Sequence, residues 1–115
     1  MKATVFHNPR CSKSRQALDL VNQSGAEVTV VEYLKDPPSK AELAKLIADA
    51  GLAPRDAARR KDALYKELGL DNPDLSDDEV IGIMADNPAV IERPFVVTDK
   101  GTRLARPTEL VNDIL

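Results

Sequence analysis

The first third of the sequence has a strand–helix–strand pattern, and this pattern constrains the fold more than any other feature. Residues 2–6 and 27–33 have the character of short β-strands, whereas apolar residues recur at helical spacing from Ser14 onward. Gly25 stands where a helix commonly ends. The connection between the two strands is long enough for a right-handed crossover, so we expect the strands to pair in parallel.

The middle of the sequence predicts a helical insertion. Ser39 followed three residues later by Glu42 is a capping-box signature that opens a helix, and Ser76 with Glu79 repeats it. The segment between these two helices is rich in Arg and Lys and predicts shorter, broken helix.

Strand-like sequence returns after the insertion. Residues 94–98 and 101–105, joined by a short turn, predict a β-hairpin. Pro107 then opens a predicted terminal helix over residues 108–115.

This order of elements predicts one α/β domain, residues 1–115, with a mixed four-stranded sheet. Residues 1–36 and 88–115 would form the core. The helical insertion, residues 37–87, would lie between the second and third strands.

Composition excludes several classes of protein. The net charge of −3 lacks the basic excess of nucleic-acid-binding proteins, so we expect no nucleic-acid partner. No apolar run approaches the ~20 residues of a membrane-spanning helix, so we expect no membrane association. Residues 1–6 are too short and too soon followed by polar residues to be a secretory signal. A single cysteine cannot form an internal disulfide, which favours the reducing cytoplasm.

That cysteine, Cys11, follows the first predicted strand and stands at the entrance of the first predicted helix. Unpaired backbone N–H groups and the positive end of the helix dipole favour a thiolate at such a position. A helix N-terminus also binds anions, so the same loop could hold an oxyanion beside the nucleophile. The alternative is a buried, unreactive cysteine, but the polar residues on both sides argue against apolar surroundings.

The only histidine, His7, has two open interpretations. It could support a thiolate at Cys11 or transfer a proton, or it could be a strand-end residue bonded to the backbone. With one cysteine and one histidine, the sequence predicts no zinc site, because zinc takes about four ligands.

Three arginines are candidates for binding an oxyanion. Arg93 and Arg106 each precede a proline, which holds the backbone extended or turn-like, so each guanidinium starts from a defined position. Arg59, in the Arg-rich middle segment, could complete the cluster. The planar guanidinium suits a tetrahedral oxyanion. Each arginine alone is also typical of a solvated surface, and the spacing leaves both interpretations open.

The sequence resembles the glutaredoxin-coupled arsenate reductases. Residues 7–15, which read His-Asn-Pro-Arg-Cys-Ser-Lys-Ser-Arg, resemble the H-N-P-x-C-x-x-S-R active-site segment of that family. The resemblance continues at residues 33–38, 65–70, 93–98 and 106–109, so it spans essentially the whole chain.

The resemblance implies a thioredoxin-like fold, in agreement with the predicted order of elements. It implies that Cys11 is the nucleophile and that His7 and Ser14 are its supporting neighbours. The segment Arg93-Pro94 falls where thioredoxin-like folds place a cis-proline beside the active-site cysteine, so Pro94 is the cis-proline candidate.

The resemblance also implies that oxyanion binding belongs to Arg59, Arg93 and Arg106. Arg59 is preferred to its neighbour Arg60 because its spacing back from Tyr65 fits the family better.

The implied reaction is the reduction of arsenate to arsenite, with no tightly bound cofactor. Glutathione would be the co-substrate and glutaredoxin the protein partner. The absence of a second cysteine is consistent with glutathione supplying the second thiol, and inconsistent with thioredoxin-coupled reductases.

Two alternatives remain on the same fold. A general glutathione-dependent thiol oxidoreductase would use the same low-pKa cysteine and treat arsenate as a side substrate. A Spx-type regulator would bind RNA polymerase, but those proteins typically carry a Cys-x-x-Cys switch, and the second position here is Ser14.

Overall fold

The computed structural model describes all residues, 1–115, and divides into two compact units. The first unit comprises Met1–Asp36 and Arg93–Leu115, and the second comprises Pro37–Glu92. The second unit begins where the predicted insertion begins and extends to Glu92 instead of residue 87. The organisation as a single domain remains a prediction.

The first unit contains the predicted mixed four-stranded sheet. Its strands are β1 (Lys2–His7), β2 (Glu27–Glu32), β3 (Phe95–Thr98) and β4 (Gly101–Leu104). They lie in the order β2-β1-β3-β4. β1 and β2 pair in parallel, while β1–β3 and β3–β4 pair antiparallel, which confirms the parallel pair and the hairpin.

Helix α1 (Ser12–Gln23) connects the two parallel strands. It begins at Ser12, slightly before the residue predicted from the apolar pattern. At its C-terminal end Gly25 has φ of +81°, a left-handed conformation that glycine adopts without a Cβ clash. The predicted terminal helix is present as a 3₁₀ helix, Thr108–Ile114.

The core of this unit lies on one face of the sheet. Strands β1 and β3, the residue after β4, helix α1 and the terminal 3₁₀ helix contribute small and β-branched side chains to it. They are Ala3, Val5, Ala17, Val21, Val96, Ala105, Val111 and Ile114. Side chains alternate across a strand, so Ala3, Val5 and His7 of β1 are buried on the same face. His7 therefore continues an apolar row at the end of the strand.

The second unit is helical. Its α-helices are α2 (Lys40–Asp49), α3 (Ala63–Glu67) and α4 (Asp77–Asp86), and its 3₁₀ helices are Pro54–Ala57 and Pro88–Val90. Both predicted capping boxes are confirmed, with each serine accepting a hydrogen bond from the backbone N–H of the glutamate three residues on. None of the helices in either unit combines the length and apolar character that a membrane crossing requires.

Candidate active site

The register of the sheet brings two separated arginines to the edge where β1 ends. Phe6 pairs with Phe95, and Phe95 pairs with Leu104, so β1 ends, β3 begins and β4 ends at the same edge of the sheet. The ladder continues past the strands, because the Ala105 N–H donates to the Pro94 carbonyl oxygen at 2.9 Å. Arg93 and Arg106 lie next to this pair on its outer side.

Arg93 and Arg106 are linked at this edge. Arg106 Nη1 donates a hydrogen bond to the Arg93 carbonyl oxygen at 3.3 Å. The peptide bonds Arg93–Pro94 and Arg106–Pro107 are both cis. The sequence carried a signal only for the first of these, through the resemblance to thioredoxin-like proteins.

A tight turn carries the chain from β1 to the cysteine. The Cys11 N–H donates to the Asn8 carbonyl oxygen at 3.0 Å, and the Arg10 N–H donates to the Asn8 side-chain oxygen at 3.0 Å. Arg15 Nη1 reaches back from α1 to the Pro9 carbonyl oxygen at 2.9 Å. The turn is therefore held from both ends, which places Cys11 at the N-cap position of α1.

Asn8 and Arg15 were not among the predicted site residues. An Asn-Pro pair is typical of a turn in which the asparagine side chain bonds to a nearby backbone group, and that signal was available in the sequence. Pro9 and Arg15 both belong to the segment that resembles the family's active site, but the contact between them depends on the fold of the turn.

Cys11 is partly exposed, and its surroundings favour the thiolate. Partial burial raises the pKa of the Cys11 thiol, but three groups outweigh burial and lower the pKa below its ordinary value. The largest opposing effect comes from the Ser14 backbone N–H, followed by the hydrogen bond and the charge of the Arg93 guanidinium and by the Lys13 N–H. These N–H groups belong to the first turn of α1 and face the sulfur without forming a regular side-chain cap.

His7 and Ser14 form a buried pair behind the turn. His7 Nδ1 lies 2.7 Å from Ser14 Oγ, and the Asn8 N–H donates to the same oxygen at 3.0 Å. Burial lowers the pKa of His7 below its ordinary value; the Glu32 carboxylate opposes this effect and Arg15 adds to it. The Ser14 hydroxyl accepts from the Asn8 N–H, and the tautomer of the His7 ring determines whether this hydroxyl donates to Nδ1 or accepts from it.

This geometry defines the contact made by each predicted supporting residue. His7 contacts Ser14, and the Ser14 hydroxyl is used by His7 and Asn8, so both side chains hold the turn that presents Cys11. Ser14 faces the sulfur through its backbone N–H.

Arg59 lies in the second unit, between the Pro54–Ala57 3₁₀ helix and α3. Its backbone N–H donates to the Val90 carbonyl oxygen at 2.8 Å, and its side chain pairs with Asp62 at 3.3 Å. Its predicted place in an oxyanion site with the other two arginines remains a prediction. No group of three or more His, Cys, Asp or Glu side chains is arranged to hold a metal ion.

The fold and the site together define a class of protein: a thioredoxin-like thiol protein whose single cysteine stands at the N-terminus of the first helix, with arginines at the same edge of the sheet. Comparison of the chain with known families, named proteins and solved structures narrows this class. The model of the ArsC family matches residues 6–114, and the chain belongs to that family.

Named relatives cover almost the whole chain. The arsenate reductase of Rhizobium meliloti (strain 1021) is 52% identical over 115 residues, covering 100% of this chain and 82% of the relative. The arsenate reductase of Acidiphilium multivorum is 49% identical over 112 residues, covering 97% of this chain and 79% of the relative. The solved structure of an arsenate reductase from Vibrio cholerae superposes with a TM-score of 0.95 at 44% identity, covering 100% of this chain and 98% of that one.

Proposed function

We propose that this protein is an arsenate reductase that uses Cys11 as its nucleophile. The observation that carries the proposal is the environment of the sulfur, where helix N–H groups and the Arg93 guanidinium lower the pKa of the Cys11 thiol. A thiolate is the nucleophilic form of cysteine, and the same positive groups attract an oxyanion. The full-length similarity to arsenate reductases supplies the substrate.

The first step follows from this arrangement. Arsenate approaches the N-terminus of α1, and the arginines offset its negative charge. We assign oxyanion binding to Arg59, Arg93 and Arg106. The Cys11 thiolate attacks arsenic, a hydroxide or water leaves, and a thiol-arsenate adduct forms. Well-placed donors of this kind typically contribute a few kcal/mol to the transition state, about 3 kcal/mol each.

The second step needs an external thiol. Reduction of arsenic takes two electrons, and the only cysteine of the chain is already bonded to arsenic in the adduct. We propose glutathione as the co-substrate and glutaredoxin as the partner that removes the glutathione from Cys11 by thiol–disulfide exchange. A reaction that consumes reduced glutathione belongs in the reducing cytoplasm, which is the location we propose.

His7, Ser14 and Pro94 have supporting roles in this proposal. His7 and Ser14 keep the turn and the first turn of α1 in register, so that the N–H groups point at the sulfur. Pro94 directly follows Arg93, whose guanidinium contacts the sulfur, and the Pro94 carbonyl oxygen continues the β3–β4 ladder.

The test is a coupled assay with glutathione, glutaredoxin, glutathione reductase and NADPH, with and without arsenate. The wild-type protein is expected to show arsenate-dependent NADPH consumption, and Cys11→Ser is expected to abolish it. A matched variant carries Cys11→Ser together with Ser12→Cys, which keeps one thiol but moves it one position into the helix. We expect this variant to be inactive, while the exposed control Ser12→Ala retains activity.

Two outcomes would contradict the proposal. Substantial turnover by Cys11→Ser would show that Cys11 is not the nucleophile. Thiol–disulfide exchange on glutathionylated substrates without arsenate reduction would favour the general thiol oxidoreductase instead.

A further inference from the structure

A cavity of about 190 Å³ lies beside the turn that carries Cys11. One wall is residues 7–10, at the end of β1, and the other wall is Glu32, Leu34 and Lys35, at the end of β2. β1 and β2 are parallel neighbours, so the cavity lies at the carboxyl edge of the sheet, where α/β proteins commonly bind ligands. Cys11 is the next residue after the first wall, and its N–H donates a hydrogen bond to the carbonyl oxygen of Asn8 in that wall at 3.0 Å.

Three of the residues that line this cavity are charged. Arg10 and Lys35 carry positive charges, and Glu32 carries a negative charge. The γ-glutamyl end of glutathione has complementary groups, because it carries one carboxylate and one ammonium group. Lys35 Nζ lies 3.9 Å from Glu32 Oε1, and the lysine side chain is 80% exposed. A loose exposed pair of this kind exchanges one partner for another at little cost.

We propose that this cavity is the glutathione subsite of the protein. Arg10 and Lys35 bind the carboxylate of the γ-glutamyl end, Glu32 binds the ammonium group of the same end, and the thiol extends past Pro9 to the Cys11 sulfur. The cavity is smaller than the whole tripeptide, so it holds the γ-glutamyl end and leaves the thiol outside. This inference rests on the proposed function, in which an external thiol completes the reduction.

The step that the subsite supports balances in atoms and electrons. The glutathione thiolate attacks the Cys11 sulfur of the thiol-arsenate adduct, and an S–S bond forms. The S–As bond breaks with its electron pair on arsenic, so that As(V) becomes As(III). Two thiols thus become one disulfide, and glutaredoxin later breaks that disulfide.

The test compares one charge reversal inside the cavity with one outside it. Lys35→Glu reverses a charge in the subsite, and Lys45→Glu is the matched control. Lys45 is 76% exposed, pairs with Asp49 at 2.6 Å and belongs to α2, so the change in net charge is the same. Each variant is assayed with glutathione and with 2-mercaptoethanol, an uncharged thiol that needs no ionic contact.

Lys35→Glu is expected to raise the KM for glutathione about fivefold, the size expected when an exposed attraction becomes a repulsion. The ratio of kcat/KM for glutathione to that for 2-mercaptoethanol should fall by about the same factor, whereas Lys45→Glu should keep the wild-type ratio. An unchanged ratio in Lys35→Glu would overturn the subsite.

A binding measurement separates this inference from the proposed function. Reduced glutathione is titrated into the wild-type protein without arsenate and followed by amide chemical shifts. The shifts are expected at His7, Asn8 and Arg10 and at Leu34 and Lys35, and weaker in Lys35→Glu. Shifts elsewhere, or none, would refute the subsite whatever the activity. Absence of arsenate reduction by the wild type with both thiols would instead refute the proposed function.

Discussion

The buried Ser14 hydroxyl provides the sharpest stability test of the site. Ser14 is fully buried, and its Oγ lies 2.7 Å from His7 Nδ1 and accepts a hydrogen bond from the Asn8 N–H at 3.0 Å. Ser14→Ala removes both hydrogen bonds and changes little else in shape. The histidine nitrogen then has no partner inside a site where His7 is only 7% exposed.

The expected loss follows from these two contacts. Each neutral hydrogen bond contributes about 0.5–1.5 kcal/mol net, so two bonds give about 1–3 kcal/mol. The Asn8 N–H is partly buried and can regain a bond to water, whereas His7 Nδ1 cannot do so easily. We therefore expect Ser14→Ala to lower the free energy of unfolding by about 2 kcal/mol.

Thr108 is a matched control. It is 8% exposed, and its buried Oγ1 has no hydrogen-bond partner. Thr108→Val replaces that hydroxyl with a methyl group of similar shape, so stability should be unchanged or higher by up to about 1 kcal/mol.

Urea denaturation at pH 7.5 measures both variants, and the m-values show whether the unfolded states are comparable. The Ser14 backbone N–H survives the substitution, so the pKa of the Cys11 thiol should remain below its ordinary value in Ser14→Ala. A loss below about 0.5 kcal/mol in Ser14→Ala, or an equal loss in Thr108→Val, would refute the hydrogen-bond argument.

Two further predictions concern charge. Arg93→Ala should raise the pKa of the Cys11 thiol, measured by the pH dependence of alkylation, and should lower kcat/KM for arsenate by about 100-fold. Arg106→Ala should also lower the activity. Its rise in the pKa of Cys11 should be smaller, because the side-chain hydrogen bond to the sulfur comes from Arg93. Equal pKa values in the two variants and the wild type would exclude these arginines from the site. Burial lowers the pKa of His7 in the folded state, so near pH 6 the unfolded chain binds a proton that the folded protein does not bind. The free energy of unfolding should therefore fall as the pH drops from about 6.5 through the lowered pKa. His7→Gln should reduce this pH dependence in denaturation measurements.

Much of the fold was predictable because short-range chemistry determines it. The capping boxes at Ser39 and Ser76 are complete within four residues, and both form as predicted. The parallel pair follows from the length of the crossover, and the hairpin follows from two strand-like runs around a short turn. The apolar pattern of α1 begins only near Ser14 because the first residues of the helix are polar.

The site was less predictable because it depends on register between distant segments. No sequence pattern near Cys11 predicts that Phe6 pairs with Phe95, but this pairing brings Arg93 to the end of β1. The bond between His7 and Ser14 likewise requires His7 to continue the buried row of β1 under α1. The resemblance to a known family supplied these residues; composition and spacing alone left them open.

The choice between Arg59 and Arg60 is the prediction that the sequence supports least and the structure sharpens most. Both arginines have a bonded backbone N–H and an ion pair, but the Arg59 side chain is 33% exposed and the Arg60 side chain is 56% exposed. An arginine that is already ordered loses less conformational entropy when it binds an anion. We expect Arg59→Ala to raise the KM for arsenate about tenfold and Arg60→Ala to change it less than about twofold, since exposed charges act weakly. Urea denaturation controls for the loss of the Asp62 ion pair in Arg59→Ala. The opposite order of the two KM values, at equal stability, would transfer the predicted oxyanion contact to Arg60.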